Sequence, residues 1–390
     1  MTHQFSCVYC GKIKPEKEKT REHIIPKFLL GAPHPTNPFI VNNVCKRCNN
    51  LCGLYVDRQF THNYLIHSII GLSDRKFANI ENGDTILPVF IGSIDIPPNV
   101  DLDSVCDVWL GPTGDRIFHF HQPYSEEYCP LGMVKPPANK VEPDPGFAIV
   151  YVRASNPVWH PTIARSILKC FDKKIDLYAA NFNPREPFMR VTEDISVAKS
   201  FTDTLFIESD TRLKLQFSID VGYEERFLAK LVLGFGAKSL NNNFLRSSYA
   251  KMVREVLWTP TTNERGMLPL NRINWSIPIT SNDATSFSAL DHADLIIVAL
   301  MPMSFGISMY VSLFGQKRYL LKLSDQPNHW PLELPQTGIC FIAARAINQA
   351  VGPIDIMHLI GSSRGHHTHS SLKSIFEKLS QLQPTIPSYD

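Results

Sequence analysis

Two pairs of cysteines constrain the fold of this chain more than any other feature. Cys7 and Cys10 form one C-x2-C pair, and Cys45 and Cys48 form a second. Each pair can bring two thiolates to one ion from a tight turn, and together they complete the tetrahedral four-sulfur set that binds Zn²⁺. Four thiolates leave no open coordination position, so the spacing predicts a structural zinc and not a catalytic one. The long gap between Cys10 and Cys45 indicates a small folded unit fastened by the metal.

The remaining cysteines indicate a reducing environment. The chain has nine cysteines in all, an odd number, and those outside the two pairs are scattered. Burial as small apolar residues or disulfide bonding are the alternatives to zinc, but two C-x2-C pairs rarely arise by chance. Because the chain also has no run of 18 apolar residues and no signal-peptide core at its start, we expect a soluble cytoplasmic protein without membrane contact. The scattered cysteines are Cys52, Cys106, Cys129, Cys170 and Cys340.

Residues around the two pairs resemble the HNH endonucleases, the zinc-containing, treble-clef-like branch of the ββα-metal nucleases. The matching residues read C-V-Y-C-G-K, then R-E-H-I-I-P-K, then N-x4-N-N-V-C-K-R-C-N-N-L-C-G-L-Y-V-D, and they lie within residues 1–60. The resemblance implies that an acid and a histidine, here Glu22 and His23, end a β-strand. It further implies that Glu22 ligates a divalent cation while His23 activates water to attack phosphorus.

The asparagine and the second histidine of the family motif correspond less directly to residues of this chain. The middle asparagine braces the hairpin and orients the histidine in the family, commonly from the position that holds Ile40 in this chain. Asn37, Asn42 and Asn43 all lie in the corresponding stretch and remain open as alternatives. The last letter is commonly a histidine directly after the fourth cysteine, where this chain has Asn49. An amide oxygen suits a hard cation, so the resemblance implies Mg²⁺ or Mn²⁺ held by Glu22 and Asn49.

The chemistry of these residue types agrees with that implication. Water attacks a phosphodiester only if one group removes a proton and another neutralises the charge that develops on oxygen. Histidine, with an unperturbed pKa of ~6.5, is mostly free to accept a proton at neutral pH. His23 can therefore act as the base, with Glu22, its metal and Asn49 as the neutralising groups. The alternative is that His23 packs beside the zinc turn and Glu22 is a solvated strand residue.

The residues after Cys48 follow a helical pattern. Asn49 is a good N-cap residue and predicts the start of a helix. Leu51, Leu54 and Tyr55 recur at i, i+3 and i+4, which predicts an apolar stripe that lies on the hairpin.

Gly53 and Asp57 share another face of this predicted helix with Asn49. A glycine inside a helix costs about 1 kcal/mol relative to alanine, which indicates a reason for Gly53. It either leaves room for a metal-bound phosphate or makes a close packing contact. Asp57 is predicted to support the site as an outer ligand or as a hydrogen-bond partner of His23, and Cys52 is predicted to pack.

Charge over residues 1–60 favours a phosphate-rich partner. This stretch has nine lysines and arginines against four acids, a balance of +5, whereas the whole chain carries only +2. Such residues contact backbone phosphates without reading sequence, so we expect salt-sensitive binding of nucleic acid. The resemblance to the HNH endonucleases implies that this nucleic acid is double-stranded DNA. The alternative is an ordinary solvated face.

Length and pattern predict an α+β protein with an HNH domain over residues 1–70 and a larger accessory region over 71–390, the latter divided near 155–220. Runs bounded by Gly, Pro or Asp predict strands, and wide apolar faces predict helices. The predicted strands are 86–91, 105–110, 147–152, 295–302, 307–314, 319–323 and 338–344. The predicted helices are 60–70, 157–170, 223–240, 244–258 and 370–382. A proline-rich loop is predicted at 130–145.

Two functions follow from these observations. The first is a metal-dependent endonuclease whose larger region chooses the target or regulates cleavage, by analogy in phage defence or a mobile element. Symmetric double-strand cleavage needs two sites, which favours a homodimer, and control of the site suggests a regulatory partner. The alternative is a catalytically inactive, zinc-stabilised adaptor that binds nucleic acid or protein.

Overall fold

The structure is a computed structural model. It describes residues 4–30, 37–61, 64–77, 86–94, 105–121, 146–151, 159–170, 176–178, 191–192, 221–259 and 290–382. Contacts divide the chain into two compact units, of which the first takes its residues from Met1–Thr61 and Asp220–Leu382. The second takes its residues from His62–Ile219 and Gln383–Asp390. The predicted domain boundary near residue 70 stays a prediction, but residues 220–382 belong to the same unit as residues 1–61.

The α+β fold class is confirmed, because antiparallel sheets and helices occur together. Among the described helices, none combines the length and the apolar character that a membrane span requires.

The N-terminal segment consists of two antiparallel pairs of short strands and several short helices. The first two strands pair antiparallel, and so do the third and the fourth. A short helix lies between the third and the fourth strand, and a longer helix follows the fourth strand without a linker, so the third strand, the fourth strand and this longer helix form a ββα unit. The elements are β1 Gln4–Ser6, β2 Ile13–Pro15, β3 Lys19–His23, α1 Lys27–Leu30, β4 Ile40–Cys45, α2 Lys46–Cys52, a π-helical turn Gly53–Asp57 and α3 Arg58–Thr61.

Helix α2 begins earlier than the sequence suggested. Its first residue is Lys46, after an extended Cys45, so the prediction that Asn49 caps the helix is wrong. The Cys45 backbone N–H donates to Sγ of Cys7 at 3.3 Å, which fixes the chain at the end of β4 and starts the helix there.

The buried face of the helix also differs from the prediction. Leu54 and Tyr55 are 51% and 43% exposed, so the predicted apolar stripe is wrong. Cys48, Cys52 and Val56 are buried instead, at i, i+4 and i+8. Because Cys48 must face the other three sulfurs, its side of the helix turns inward. The prediction that Cys52 packs is confirmed.

The C-terminal part of the first unit contains an antiparallel sheet, whose strands are β11 Ile296–Met303, β12 Gly306–Leu313, β13 Lys317–Ser324, β14 Ile339–Ala344 and β15 Gln349–Asp355. Their order in the sheet is β13-β12-β11-β14-β15. Gly315, with φ of +67°, makes the tight turn between β12 and β13 that the sequence predicted. Strand β12 is buried along its whole length, so both faces of the sheet are covered.

Helices accompany this sheet in the described part of the unit. They are α6 Val221–Ser239, α7 Ser248–Trp258, α8 Ile356–Ser363 and α9 Ser370–Gln381. The Oγ of Ser247 accepts from the backbone N–H of Ala250 at 3.1 Å and caps α7, and Asp355 caps α8 in the same way through Met357. Helices α8 and α9 pack on one face of the sheet through Leu359, Leu372 and further apolar residues.

The second unit contains one sheet and two helices among its described residues. The elements are α4 Tyr64–Phe77, β5 Val89–Ile94, β6 Val105–Leu110, β7 Arg116–His121, β8 Phe147–Tyr151, α5 His160–Cys170, β9 Asp176–Tyr178 and β10 Val191–Thr192. The order of the strands in the sheet is β10-β9-β8-β7-β6-β5. They are antiparallel except for the pairs β8–β9 and β9–β10.

Most predicted strands and helices are present within a few residues of their predicted bounds. Beyond the N-terminal segment, the elements that the sequence did not predict are β7, β9, β10, β15 and α8. Strand β15 contains Gly352 and Pro353, which read as loop residues, yet it lies at the edge of its sheet where a missing N–H is tolerated. The proline-rich loop predicted at 130–145 lies outside the described residues.

Candidate functional site

The four paired cysteines meet at one point. Cys7 and Cys10 lie in the turn after β1, Cys45 ends β4, and Cys48 lies in the first turn of α2. Their sulfur atoms all lie within 4.8 Å of one another. In the described part of the chain no cysteine forms a disulfide. A closed set of four thiols fits a structural Zn²⁺ and leaves no position for substrate.

Hydrogen bonds within the cluster already favour a thiolate. A hydrogen bond from Cys48, together with backbone hydrogen bonds, outweighs burial and lowers the pKa of Cys7 to about 4. The same interaction with Cys7 raises the pKa of Cys48. One sulfur is therefore held as an anion by its neighbour, which is the charge state that Zn²⁺ takes up.

Helix α7 anchors the first cysteine turn to the rest of the unit. Nε of Arg254 donates to the carbonyl of Val8 at 3.0 Å, and Nε1 of Trp258 donates to the carbonyl of Tyr9 at 2.8 Å. Both acceptors lie between Cys7 and Cys10. The position of the metal-binding turn thus depends on residues from a distant part of the chain.

Glu22 and His23 end strand β3, as the sequence predicted. Glu22 pairs with Val41 and His23 with Ile40, while Thr20 pairs with Val44. Between these pairs β3 advances by two residues and β4 by three, so β4 carries a bulge beside the site. Glu22 is 5% exposed, whereas His23 is half-buried and lies nearer the surface.

Asn49 ties helix α2 to strand β3. Its Nδ2 donates to Oγ1 of Thr20 and to the carbonyl of Arg21, both at 3.0 Å. Thr20 in turn donates to the carbonyl of Val44 at 2.8 Å, which links both strands and the helix. The structure therefore brings Asn49 next to the residues that precede Glu22 and His23.

The three asparagines considered for the middle letter of the family motif make different contacts. Oδ1 of Asn37 accepts from the backbone N–H of Phe39 at 2.9 Å. Asn42 and Asn43 are exposed in the bulged part of β4, and the carbonyl of Asn43 accepts from the N–H of Val8. Only the backbone of Asn43 contacts the cysteine turn through a described hydrogen bond, so the assignment stays open.

A buried lysine from helix α6 binds both acids of the site. Nζ of Lys230 lies 2.7 Å from Oε1 of Glu22 and 2.7 and 2.6 Å from the two oxygens of Asp57. Lys230 is 0% exposed. Burial lowers its pKa, but the Asp57 and Glu22 carboxylates outweigh burial and raise it, so the amine stays charged.

This arrangement determines whether a divalent cation fits at Glu22. The Glu22 carboxylate is buried and shares the Lys230 ammonium group with Asp57, and a cation there would stand beside a like charge. Binding of a divalent cation by Glu22 and Asn49 therefore requires the ammonium group to move away. Asp57 contacts Lys230, and burial raises the pKa of its carboxyl to about 6.

Positive charge surrounds His23. Burial first, then the charges of Lys27, Lys230 and Arg21, lowers the pKa of the imidazole to about 4. Lys27 and Arg21 are exposed, so their charges lie on the solvent side of the site. The imidazole is neutral at neutral pH and its ring nitrogen is able to accept a proton.

Gly53 has no close packing partner. A Cβ at this residue would meet nothing within 4 Å, so the packing alternative for Gly53 is wrong. Open space next to the helix leaves the phosphate hypothesis as a prediction.

Sequence reasoning missed Lys230. A signal was present, because this lysine stands in the middle of an apolar helix face formed by Phe227, Leu231 and their neighbours. A charge on such a face must find an opposite charge in the core. The sequence alone does not say which acids it meets, since Glu22 and Asp57 lie in the N-terminal segment, far from helix α6 along the chain.

Comparison with known proteins agrees with the geometry of the N-terminal segment. Residues 7–65 match the family model described as HNH endonuclease. No curated protein and no solved structure matched the chain. The match spans the four cysteines, Glu22, His23 and Asn49. The predicted resemblance of the N-terminal segment to the HNH endonuclease family is therefore confirmed over residues 7–65.

Proposed function

We propose that this protein is an endonuclease that hydrolyses phosphodiester bonds, with His23 as the general base. The observation that supports it most is the ββα unit itself: Glu22 and His23 end β3, and Asn49 of α2 hydrogen-bonds to the same strand. The sulfur atoms of four cysteines converge beside this unit, within a segment that matches the HNH endonuclease family. The zinc is structural in this proposal.

His23 would take the proton from the attacking water. Arg21 and Lys27 are exposed on either side of it in sequence, and their charges act on its ring. Both can bind phosphate oxygens next to the base and neutralise charge that develops during the attack. Such contacts position a nucleic-acid backbone without reading its sequence, which leaves target choice to the larger region.

The proposed cleavage depends on Mg²⁺ or Mn²⁺, and Glu22 and Asn49 are the proposed ligands of this cation. The ion pair of Lys230 means that Glu22 is available only in a conformation in which Lys230 has moved away. Asp57, Asn37, Asn42 and Asn43 are proposed to support this site. An accessory region that holds Lys230 in place would then act as a regulator of cleavage.

Double-stranded DNA is the proposed substrate, and phage defence or a mobile element is the proposed setting. The positive balance of residues 1–60 favours a phosphate backbone. Two cuts on opposite strands would need two copies of the site, so we propose a homodimer for double-strand cleavage.

Incubation with supercoiled plasmid tests the proposal. Full-length protein with Mg²⁺ or Mn²⁺ should convert plasmid to the nicked or linear form, and a chelator should prevent it. His23→Ala should not cut, whereas the matched control His366→Ala, an exposed histidine elsewhere in the first unit, should cut normally. Equal cutting by His23→Ala and wild type would refute the role of His23. Labelled duplex DNA, single-stranded DNA and RNA in parallel identify the substrate.

The second candidate is an inactive adaptor that binds nucleic acid or protein. The ion pair between Lys230 and Glu22 favours it, because it occupies the carboxylate that the catalytic cation needs. Ile40 at the position where the family commonly has asparagine favours it as well. An adaptor should retard DNA in a gel and leave plasmid intact under all metal conditions, with and without competitor DNA. These two results together would favour the second candidate over the endonuclease.

A further inference from the structure

Three buried polar side chains on the sheet of the second unit form a group outside residues 7–65, the segment that matches the HNH endonuclease family. Asp107 lies on β6, and His119 and His121 lie on β7. Asp107 is the direct cross-strand partner of His119, and His121 lies two residues further along β7. Cross-strand partners and residues two apart project from the same face of a sheet, so all three side chains share one face.

The metal-binding atoms of the three side chains converge. One donor atom from each lies within 4.8 Å of the other two. Nε2 of His121 is 3.1 Å from Oδ2 of Asp107, and the ring centroids of His119 and His121 are 4.8 Å apart. Ligands at ~2.0–2.2 Å from one ion stand roughly 3–4 Å from one another, so small side-chain rotations would bring all three onto it.

Burial of the group favours a compensating charge. Asp107, His119 and His121 are 0%, 3% and 4% exposed. The opposite face of the same two strands belongs to an apolar cluster that includes Val108 and Phe118. Burial of a carboxylate in such a sheet is unfavourable unless an opposite charge accompanies it, and a divalent cation is able to contribute such a charge.

A serine on the next strand supports the carboxylate. Ser93 of β5 is the register partner of Asp107, and its Oγ donates to Oδ1 of Asp107 at 2.5 Å. The other carboxylate oxygen, Oδ2, is the one that faces His121. Carboxylates that bind metals are commonly held by hydrogen bonds of this kind, which orient the second oxygen toward the ion.

We propose that Asp107, His119 and His121 bind a divalent transition-metal ion. Two imidazoles and a carboxylate suit Zn²⁺, Fe²⁺ or Mn²⁺ better than Mg²⁺, which prefers oxygen ligands throughout. The site is built from different residues than the four-cysteine cluster, and it does not depend on the proposed nuclease activity. The alternative is a metal-free contact between Asp107 and His121.

Metal content of the full-length protein tests the proposal. Protein equilibrated with Zn²⁺ and then dialysed should hold about two zinc ions per chain, one at the four cysteines and one at this group. The double variant His119→Gln/His121→Gln should hold about one. His67→Gln is the matched control, a buried histidine of the same unit whose ring contacts Trp109, and it should keep both ions.

Cobalt distinguishes the two sites by their ligands. Co²⁺ bound by thiolates shows sulfur-to-metal charge-transfer absorption, whereas Co²⁺ bound by imidazole and carboxylate does not. Titration of metal-free protein should therefore give one equivalent with that absorption and a further equivalent without it. About one zinc ion per wild-type chain, with every bound Co²⁺ showing thiolate absorption, would overturn the proposal. This outcome needs no variant, so it decides even if the double variant fails to fold.

Discussion

Lys230 carries a full positive charge into the interior of the first unit. Removal of an ammonium group from water costs several kcal/mol, and only close opposite charges compensate for it. Glu22 and Asp57 supply them at 2.7 and 2.6 Å from Nζ. Two carboxylates and one ammonium leave a negative charge in excess, in keeping with the raised pKa of Asp57, for which burial is the main cause.

Replacement of Lys230 by Met should destabilise the protein by about 3–5 kcal/mol, because two buried carboxylates lose their counter-charge. Urea unfolding of the zinc-loaded protein measures the change. Lys238→Met on the same helix is the matched control, since its side chain is exposed and donates only to the carbonyl of Ile40 at 3.2 Å among the described contacts. The control should change stability by less than about 1 kcal/mol. Equal losses in both variants would mean that the buried ion pairs contribute little.

At the scale of elements, the four-cysteine cluster joins the first hairpin, strand β4 and helix α2. Each of these elements is too short to be stable alone, as the two turns of α2 illustrate. A metal ion bound by the four cysteines would therefore contribute directly to folding of the ββα unit.

Cys48→Ser should lose one equivalent of zinc and the structure of the ββα unit, because three thiolates bind the metal less tightly. Metal analysis and limited proteolysis of residues 1–61 measure both effects. Cys52→Ser is the matched control, a buried cysteine of the same helix that lies outside the cluster, and it should keep its zinc. Full zinc content in Cys48→Ser would contradict the four-sulfur site.

Two glycines test how α6 packs on the N-terminal segment. A Cβ at Gly234 would lie 2.7 and 2.9 Å from the methyl and methylene carbons of Ile24, so Gly234→Ala should cost about 1–3 kcal/mol through overpacking. Gly53 has helical backbone angles and nothing within 4 Å, so Gly53→Ala should be neutral or stabilise by up to about 1 kcal/mol. Thermal unfolding compares the two. Similar effects at both positions would contradict the packing described for α6.

Local signals predicted the elements of this site well and their surroundings poorly. The cysteine spacing predicted the cluster of four sulfurs, and the resemblance to the HNH endonucleases implied the strand that ends in Glu22 and His23. The start of α2 was misjudged because Asn49 is a strong cap by type, while the sulfur contact of Cys45 decides where the chain turns. Lys230 could not be assigned to Glu22 because no local pattern encodes a contact between positions so far apart in the chain.

At the scale of the molecule, the N-terminal segment, residues 4–61, shares a hydrophobic core with the residues of the first unit that follow residue 220. Phe39 packs against Phe235 of α6 and Phe341 of β14, with ring centroids 6.1 Å from each. Phe60 stacks on Phe227 at 3.6 Å. These aromatic residues are nearly or completely buried. The family match covers only residues 7–65, yet the folded unit that contains most of it also includes residues from 220 onward.

A fragment of residues 1–70 should therefore fail to fold even with zinc, since Phe39 and Phe60 would lose their partners and become exposed. The amide resonances of the fragment in an NMR spectrum report on this directly. Poor dispersion is expected. Well-dispersed resonances for zinc-loaded 1–70 would show that the segment is independent of the C-terminal part.

The rate of phosphodiester cleavage by His23→Ala, relative to wild type at equal zinc content, tests the central claim most directly. A general base contributes about 10²- to 10⁴-fold, so the first-order rate of plasmid nicking should fall by at least that lower value. The exposed control His366→Ala should keep the wild-type rate. Nicking by His23→Ala at the wild-type rate would contradict the assignment of His23 as the base of an HNH nuclease.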